Sequence, residues 1–364
     1  MNSWLQSIFL LLLGVVLTPA LPTRTIIPPE GETFEGDIIV SHSLTDYIKG
    51  TTSKKREYHS STFLWKKDGN FVKIPYTISG LDARAEKNVK QAFHAFKGQT
   101  CIDFVPRKGQ TDYIEFETGD NGCSSSIGRQ GGRQSVFLDS GCTSVPTILH
   151  EIMHAIGFLH EQSREDRDDY VLVKYDNIDG NYQNQFLTYS IQSLGYPYDK
   201  KSLMHYKKND FSKNGQPTIE SKSDPNELLG NDDYFTKTDV KQINTLYNCP
   251  SRFTKLDDYE ITIYTSNEWW AGTGATVYLQ IQGLGLDSSG EFKAGTGFDA
   301  DSNQKIEMFF PHMDVKKLSV RHDNQGWGPA WHLKKIVIKD KTIAKVLTFE
   351  CNCWIEGVKA KSLT

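Results

Sequence analysis

One run of eleven residues, His150-Glu151-Ile152-Met153-His154-Ala155-Ile156-Gly157-Phe158-Leu159-His160, constrains this chain more than any other part of its sequence. His150 and His154 are four apart, so a helix stacks them one turn above each other on one face. Such a pair can grip one Zn²⁺ through ring nitrogens at about 2.0–2.1 Å. Glu151 stands beside the first ligand, where a carboxylate can take a proton from water held by the metal. Gly157 tolerates left-handed dihedrals and can stop the helix. The chain then turns, and His160 can supply a third ligand from outside the helix. Three protein ligands leave a fourth position open, which is the catalytic pattern and not the structural one. H-E-x-x-H alone arises by accident on many helices. With the Gly and the third His at fixed offsets, chance accounts for on the order of 1 in 10⁴ chains of this length.

The motif runs on as His160-Glu161-Gln162-Ser163-Arg164-Glu165-Asp166-Arg167-Asp168, and Ser202-Leu203-Met204-His205-Tyr206 stands downstream. Here the chain resembles the astacin family of metzincin metalloproteases. That family's signature is H-E-x-x-H-x-x-G-F-x-H-E-x-x-R-x-D-R-D followed by S-x-M-H-Y, and every fixed position is matched. The resemblance implies an α/β-type (α+β), two-lobed metzincin catalytic domain with a zinc helix. It implies that Met204 forms a tight turn beneath the zinc site, as a packing residue and not a ligand. It also implies that Tyr206 reaches the metal or the oxyanion, and that Glu161 meets the new N terminus after activation. Arg164, Asp166 and Arg167 read as structural ion pairing around the helix end.

A chain of 364 residues is too long for one ordinary domain, so two are expected. Hydrophobic content of 38% and charged content of 24% are those of a soluble globular protein. A formal charge of −4 and the absence of a long basic run argue against a nucleic-acid partner. The one long apolar segment, Ile8 to Val16, ends near Thr18-Pro19-Ala20 and is shorter than the ~20 residues a membrane span needs. It reads as a secretory signal peptide over 1–20, so the mature protein is expected outside the cell. Six cysteines fit an oxidising compartment, with fifteen pairings open if all are bridged. The family resemblance implies two of them, Cys101 with Cys249 and Cys123 with Cys142. Cys351 and Cys353 stay open between free thiols and a bridge to another chain, because a C-x-C bridge is geometrically strained.

Residues 21–56 are polar, show little periodicity and end in Ser53-Lys54-Lys55-Arg56, a basic cluster of the kind proteases cut. Within them, Phe34-Glu35-Gly36-Asp37 matches the F-x-G-D motif of astacin propeptides. The match implies that the Asp37 carboxylate takes the zinc position meant for water, and that cleavage after Arg56 ends this latency. The catalytic domain is then expected over 57–250. Val72 to Tyr76, Cys101 to Pro106, Asp112 to Glu117 and Gln134 to Leu138 read as strands. Ala83 to Lys97, Pro146 to Ile156 and Thr238 to Tyr247 read as helices. In the family the strand holding Val136, Phe137 and Leu138 is taken as the edge on which an extended substrate pairs antiparallel. Lys222 falls in the loop bordering the primed side, where a cation would favour an acidic residue just after the cut.

From about Phe253 the pattern changes. Tyr259 to Thr265, Thr276 to Ile281 and Lys335 to Ile338 alternate apolar and polar residues, with Gly and Asp/Asn clusters between them. This is an all-β sandwich pattern, placed over 253–358. It resembles the PLAT (lipoxygenase-homology) domain at Ala271-Gly272-Thr273-Gly274-Ala275-Thr276-Val277-Tyr278, Val320-Arg321-His322-Asp323-Asn324 and Phe349-Glu350-Cys351-Asn352-Cys353-Trp354. PLAT domains bind membrane lipid or protein partners, some with Ca²⁺. Gly274 stands where the family commonly has Asp, which leaves calcium open, since Ca²⁺ affinity depends on carboxylates. Trp269 and Trp270 are adjacent, so an extended backbone would bury one and expose the other. Exposed together they would suit a membrane interface or a protein hot spot.

These readings converge on a zymogenic zinc endopeptidase acting on protein or peptide substrates. Glu151 is its general base and Tyr206 its oxyanion donor. A binding protein carrying a relic protease would need a broken catalytic position, and none is broken. A purely structural zinc would need a fourth protein ligand.

Overall fold

Phe34 and Ile38 face each other across the tip Glu35-Gly36-Asp37, and the hairpin they close starts the main sheet. Its strands are β1 (Thr33–Phe34) and β2 (Ile38–Ile39), paired antiparallel. The computed structural model describes residues 28–41, 44–45, 63–119, 122–189, 193–284, 288–326, 328 and 330–364. The expected signal peptide and the Arg56 cleavage point lie outside the described residues. Among the described residues no helix is long and apolar enough to cross a membrane.

The N-terminal half continues with β3 (Lys67–Asp68), β4 (Phe71–Ser79) and α1 (Ala83–Gln99). Asp82 caps α1 by accepting from the Ala85 amide. Next come β5 (Ile102–Pro106), β6 (Tyr113–Glu117), β7 (Ser124–Ser126) and β8 (Arg133–Phe137). Together β1 to β8 form one sheet in the order β1-β2-β7-β8-β6-β4-β3, with β5 on β4. Helix α2 (Val145–Ala155) packs against it, and Val89, Phe96, Ile114, Phe116, Ile148 and Ile152 share the core between them. The second lobe holds β9 (Val171–Val173) and β10 (Ile219–Ser221), while α3 (Lys237–Leu246) packs Val240 and Ile243 back into the main core. The second lobe's own small core includes Val171, Phe186, Ile219 and Tyr206. Cys101 pairs with Cys249 across 148 residues, and Cys123 with Cys142 across 19. The longer link should stabilise by about 4–5 kcal/mol in the chain-entropy estimate.

The sheet corrects one expectation. Val136, Phe137 and Leu138 do not lie on a free edge, because β8 pairs with β6 on one side and β7 on the other. Val136 and Leu138 are buried. A strand bonded on both sides has no backbone groups left for a substrate. The strand beyond is β7, and β2 covers its outer edge in parallel register, with Ile38 opposite Ser125.

The C-terminal half is a sandwich of two antiparallel sheets. One joins β11 (Leu256–Thr265), β14 (Asn303–Pro311), β16 (Trp331–Asp340) and β17 (Lys345–Ile355). The other joins β12 (Thr273–Gln282), β13 (Ser288–Phe298), β15 (Lys317–His322) and β18 (Lys361–Leu363). Alternate residues of β11 are buried, so Tyr259, Ile261 and Ile263 line one face, beside Trp331 of β16 in the same sheet and with Leu279 and Val320 of the other sheet opposite. Because β18 pairs with β15, the sandwich runs to Leu363, beyond the expected boundary at 358. Cys351 and Cys353, which the sequence leaves open, sit two residues apart on β17 with their sulfurs adjacent.

The two halves touch backbone to backbone. A Cβ on Gly98 of α1 would land on the Ser289 carbonyl, and one on Gly290 would land on the His94 carbonyl. Gln99 Nε2 donates to the Phe309 carbonyl at 3.1 Å, and Lys237 pairs with Asp258 at 2.5 Å. Leu256 and Phe309 pack on the core of the N-terminal half.

Candidate metal centre

Helix α2 begins where Ser144 accepts from the Thr147 amide, with Pro146 in the first turn, where a missing N–H breaks no bond. It ends at Gly157, whose φ of +112° lets the chain reverse. The Phe158 amide then closes on the Met153 carbonyl at 3.0 Å. This turn brings His160 back beside His150 and His154, with ring centroids 5.2 and 4.8 Å away.

Asp37, at the tip of the β1–β2 hairpin, completes the group. Its Oδ2 lies 3.2 Å from His150 Nε2, and its Oδ1 lies 3.5 Å from His154 Nε2 and 3.4 Å from His160 Nε2. The four ligand atoms sit within 4.8 Å of one another. Among the described residues this is the one group of three or more His, Cys, Asp and Glu side chains placed to share a metal.

The far side of each ring fixes its orientation. His150 Nδ1 donates to the Leu203 carbonyl at 2.8 Å, and His154 Nδ1 to the Phe158 carbonyl at 2.7 Å. His160 Nδ1 meets Glu35 Oε2 at 2.8 Å. All three Nε2 lone pairs therefore face inward, and those of His150 and His160 approach to 3.2 Å. His154 Nε2 and Asp37 Oδ1 are buried with no hydrogen-bond partner. Converging lone pairs and orphaned acceptors are a donor set that a cation satisfies, and zinc takes nitrogen and oxygen ligands of this kind. Burial pushes His154 down to about 4, so the ring is neutral, as a ligand must be. Burial alone would raise the Asp37 carboxyl, but the imidazoles gathered around it, His160 foremost, hold it well below the usual range. Glu151 is buried, and that burial together with the Asp37 charge pushes its carboxyl well above the ordinary value.

Below the imidazoles, Ser202 Oγ donates to Asp239 Oδ1 at 2.6 Å and the Leu203 amide to Asp239 Oδ2 at 3.1 Å. Met204 is buried, and its carbonyl accepts from the Glu161 amide at 2.9 Å. Glu161 Oε1 accepts from Arg164 Nη1 and from the Asp199 amide, each at 2.9 Å. Arg164 also grips Asp166. Tyr206 lies against His160 with the rings tilted by 58°, and donates its hydroxyl to the Glu35 carbonyl at 2.7 Å. Asp37, His150, Glu151, His160 and Tyr206 border a cleft of about 410 Å³, also lined by Thr147, Lys207 and Asp232. Lys222 is not among its lining residues, because its ammonium donates to the Asp168 carbonyl. The cation on the cleft wall is Lys207, paired with Asp232 at 2.5 Å.

Sequence reasoning missed Glu35 and Asp239. Asp239 carried a signal, since Thr236-x-x-Asp239 is a capping-box pattern, and both reciprocal bonds are present. Glu35 carried only its place inside the F-E-G-D run.

A family model described as Astacin, a peptidase family, matches residues 60–248, and one for the PLAT/LH2 domain matches 259–364. Zinc metalloproteinase nas-13 of Caenorhabditis elegans is 41% identical over 233 residues, 60% of this chain and 50% of that protein. Meprin A subunit beta of Homo sapiens is 34% identical over 264 residues, 71% of this chain and 38% of that protein. The chain thus spans half or less of the length of these two relatives. Among solved structures, High choriolytic enzyme 1, a hatching enzyme zinc-protease from Oryzias latipes, aligns with a TM-score of 0.51 at 38% identity. That alignment covers 52% of this chain and 97% of the other.

Proposed function

The chain belongs to the astacin family of peptidases, and on that premise we propose a secreted zinc endopeptidase, kept latent by its N-terminal hairpin and directed to its site of action by the C-terminal sandwich. The observation that carries the reading is the convergence of His150, His154, His160 and Asp37, with Glu151 buried alongside. The three histidines would hold zinc, with Asp37 as a fourth ligand in the uncut chain. When bound, zinc supplies Lewis acidity that activates water and polarises a carbonyl. Glu151 takes a proton as the water oxygen attacks the scissile carbonyl carbon. It returns that proton to the amine nitrogen as the C–N bond breaks. Tyr206, freed from the Glu35 carbonyl, offers its hydroxyl to the oxyanion. Cleavage after Arg56 would withdraw the hairpin and open both the cleft and the β7 edge.

The sandwich exposes Trp269 at 82% and Trp270 at 80%, and the two rings lie 6.3 Å apart. Two bare indoles side by side favour a lipid interface as the target. A protein partner is the alternative reading, and the Gly274 position favours little calcium dependence.

The test of the enzymatic reading is Glu151→Ala in the activated chain. It should keep one zinc by metal analysis and lose peptide hydrolysis by about 10²–10⁴-fold. Near-wild-type turnover with zinc bound would refute the general-base role.

A further inference from the structure

The three histidines are not supported alike. His150 and His154 lean on carbonyls of the catalytic half, whereas His160 leans on Glu35, on the far side of the Arg56 cut. We propose that Glu35 is a positioning residue of the metal centre in the uncut chain, orienting His160 for zinc, and that the uncut chain therefore holds zinc more tightly than Asp37 alone would allow. The inference rests on the reading that this cluster binds zinc.

Four observations carry it. The Glu35 side chain is wholly buried, and a buried carboxylate costs several kcal/mol unless it is hydrogen-bonded. Both of its oxygens are engaged, Oε2 with His160 Nδ1 at 2.8 Å and Oε1 by the Ser163 hydroxyl at 2.5 Å. Its carbonyl accepts the Tyr206 hydroxyl at 2.7 Å. Its backbone sits at φ +50°, a conformation that non-glycine residues adopt at a cost of order 1–3 kcal/mol. Gly36 follows at φ +87°. These consecutive left-handed residues let one short tip present Glu35 to the back of His160 and Asp37 to its front. A carboxylate behind a ligating imidazole fixes the ring and raises its basicity, and its loss usually weakens metal binding by about 10–100-fold. The propeptide thus contributes more than a plug. It completes the support of the third ligand and holds Tyr206, and its removal takes away both.

The experiment uses the full uncut chain, and zinc affinity is read by competition with a chromogenic chelator. Glu35→Gln keeps the shape and removes the charge, and zinc binding should weaken by about 10–100-fold. Replacing zinc with cobalt adds a spectroscopic signature. The visible absorption of Glu35→Gln should differ from wild type, which a purely packing role would not produce. Limited proteolysis of the 28–41 segment reports whether the hairpin stays seated. If it comes loose, Ser163→Ala decides, since Ser163 anchors Glu35 without touching Asp37. Weaker zinc binding with the hairpin seated supports the proposal. Unchanged zinc affinity and an unchanged cobalt spectrum in both variants would overturn it. If the wild-type chain binds no zinc, the enzymatic reading fails first, and this inference falls with it.

Discussion

Asp37 and Glu35 illustrate what a single side chain decides. Asp37 confronts three imidazole nitrogens, and in the proposed latent state it occupies the position a reacting water would need. Removing its carboxylate should leave the three histidines in place and free that position. Asp37→Ala in the uncut chain is therefore expected to raise basal peptidase activity above background, and the double variant Asp37→Ala/Glu151→Ala should stay silent. N-terminal sequencing of the active species checks that the 28–41 segment is still attached. Activity that appears only after the segment is lost would put latency elsewhere. Gly157 decides just as much, because a left-handed φ is what returns His160 to the helix it has left.

Among the elements, α3 has the least visible and most consequential part. Its Thr236–Asp239 capping box starts the helix, and the same Asp239 carboxylate ties down Ser202 and the Leu203 amide. Leu203 in turn orients His150 through its carbonyl. Burial pushes the Asp239 carboxyl up to about 6, against hydrogen bonds from Ser202, Thr236 and Leu203 that pull it down. A carboxyl raised in the folded state contributes stability that is full below its unfolded value of 3.8 and is lost as pH rises through about 6. That contribution amounts to about 3 kcal/mol. Urea unfolding of wild type and Asp239→Asn should show it. The stability of wild type relative to the variant should decline between about pH 4 and about pH 7, and a parallel pair of curves would refute the assignment.

For the whole molecule, the glycine contact between α1 and β13 is the joint that seats the sandwich on the catalytic half. Gly98→Ala pushes a methyl into the Ser289 carbonyl, and backbone on both sides leaves no flexible atom to yield. The sandwich should swing away from α1. Solution X-ray scattering should give a larger radius of gyration, and protease should cut faster between Cys249 and Leu256. An unchanged scattering curve would show that the interface is not closed in solution. The sandwich also presents Trp269 and Trp270 together. The Trp269→Ser/Trp270→Ser double variant should lose flotation with phosphatidylcholine–phosphatidylserine vesicles while still cutting a soluble peptide once activated. Wild-type protein that never floats would point to a protein partner. Loss of flotation in chelator would show that the loop recruits calcium through other carboxylates.

By itself the sequence determined the chemistry that depends on near neighbours. Four-residue spacing stacks His150 and His154 on any helix, a glycine ends that helix, and alternation along β11 separates core from surface. These are properties of the local backbone, and the structure keeps the predicted helices and strands to within a few residues. Only the tertiary structure decided which strand is the edge, because pairing partners come from distant parts of the chain: β8 reads as an edge and proves to be interior, with β2 lying over β7. It also decided that Lys222 turns to the Asp168 carbonyl, and that the two tryptophans share the solvent, with Trp270 at φ +62° breaking the alternation an extended chain would impose. The partnership of Glu35 with His160 spans 125 residues. No local periodicity encodes such a contact; folding the hairpin into the cleft creates it.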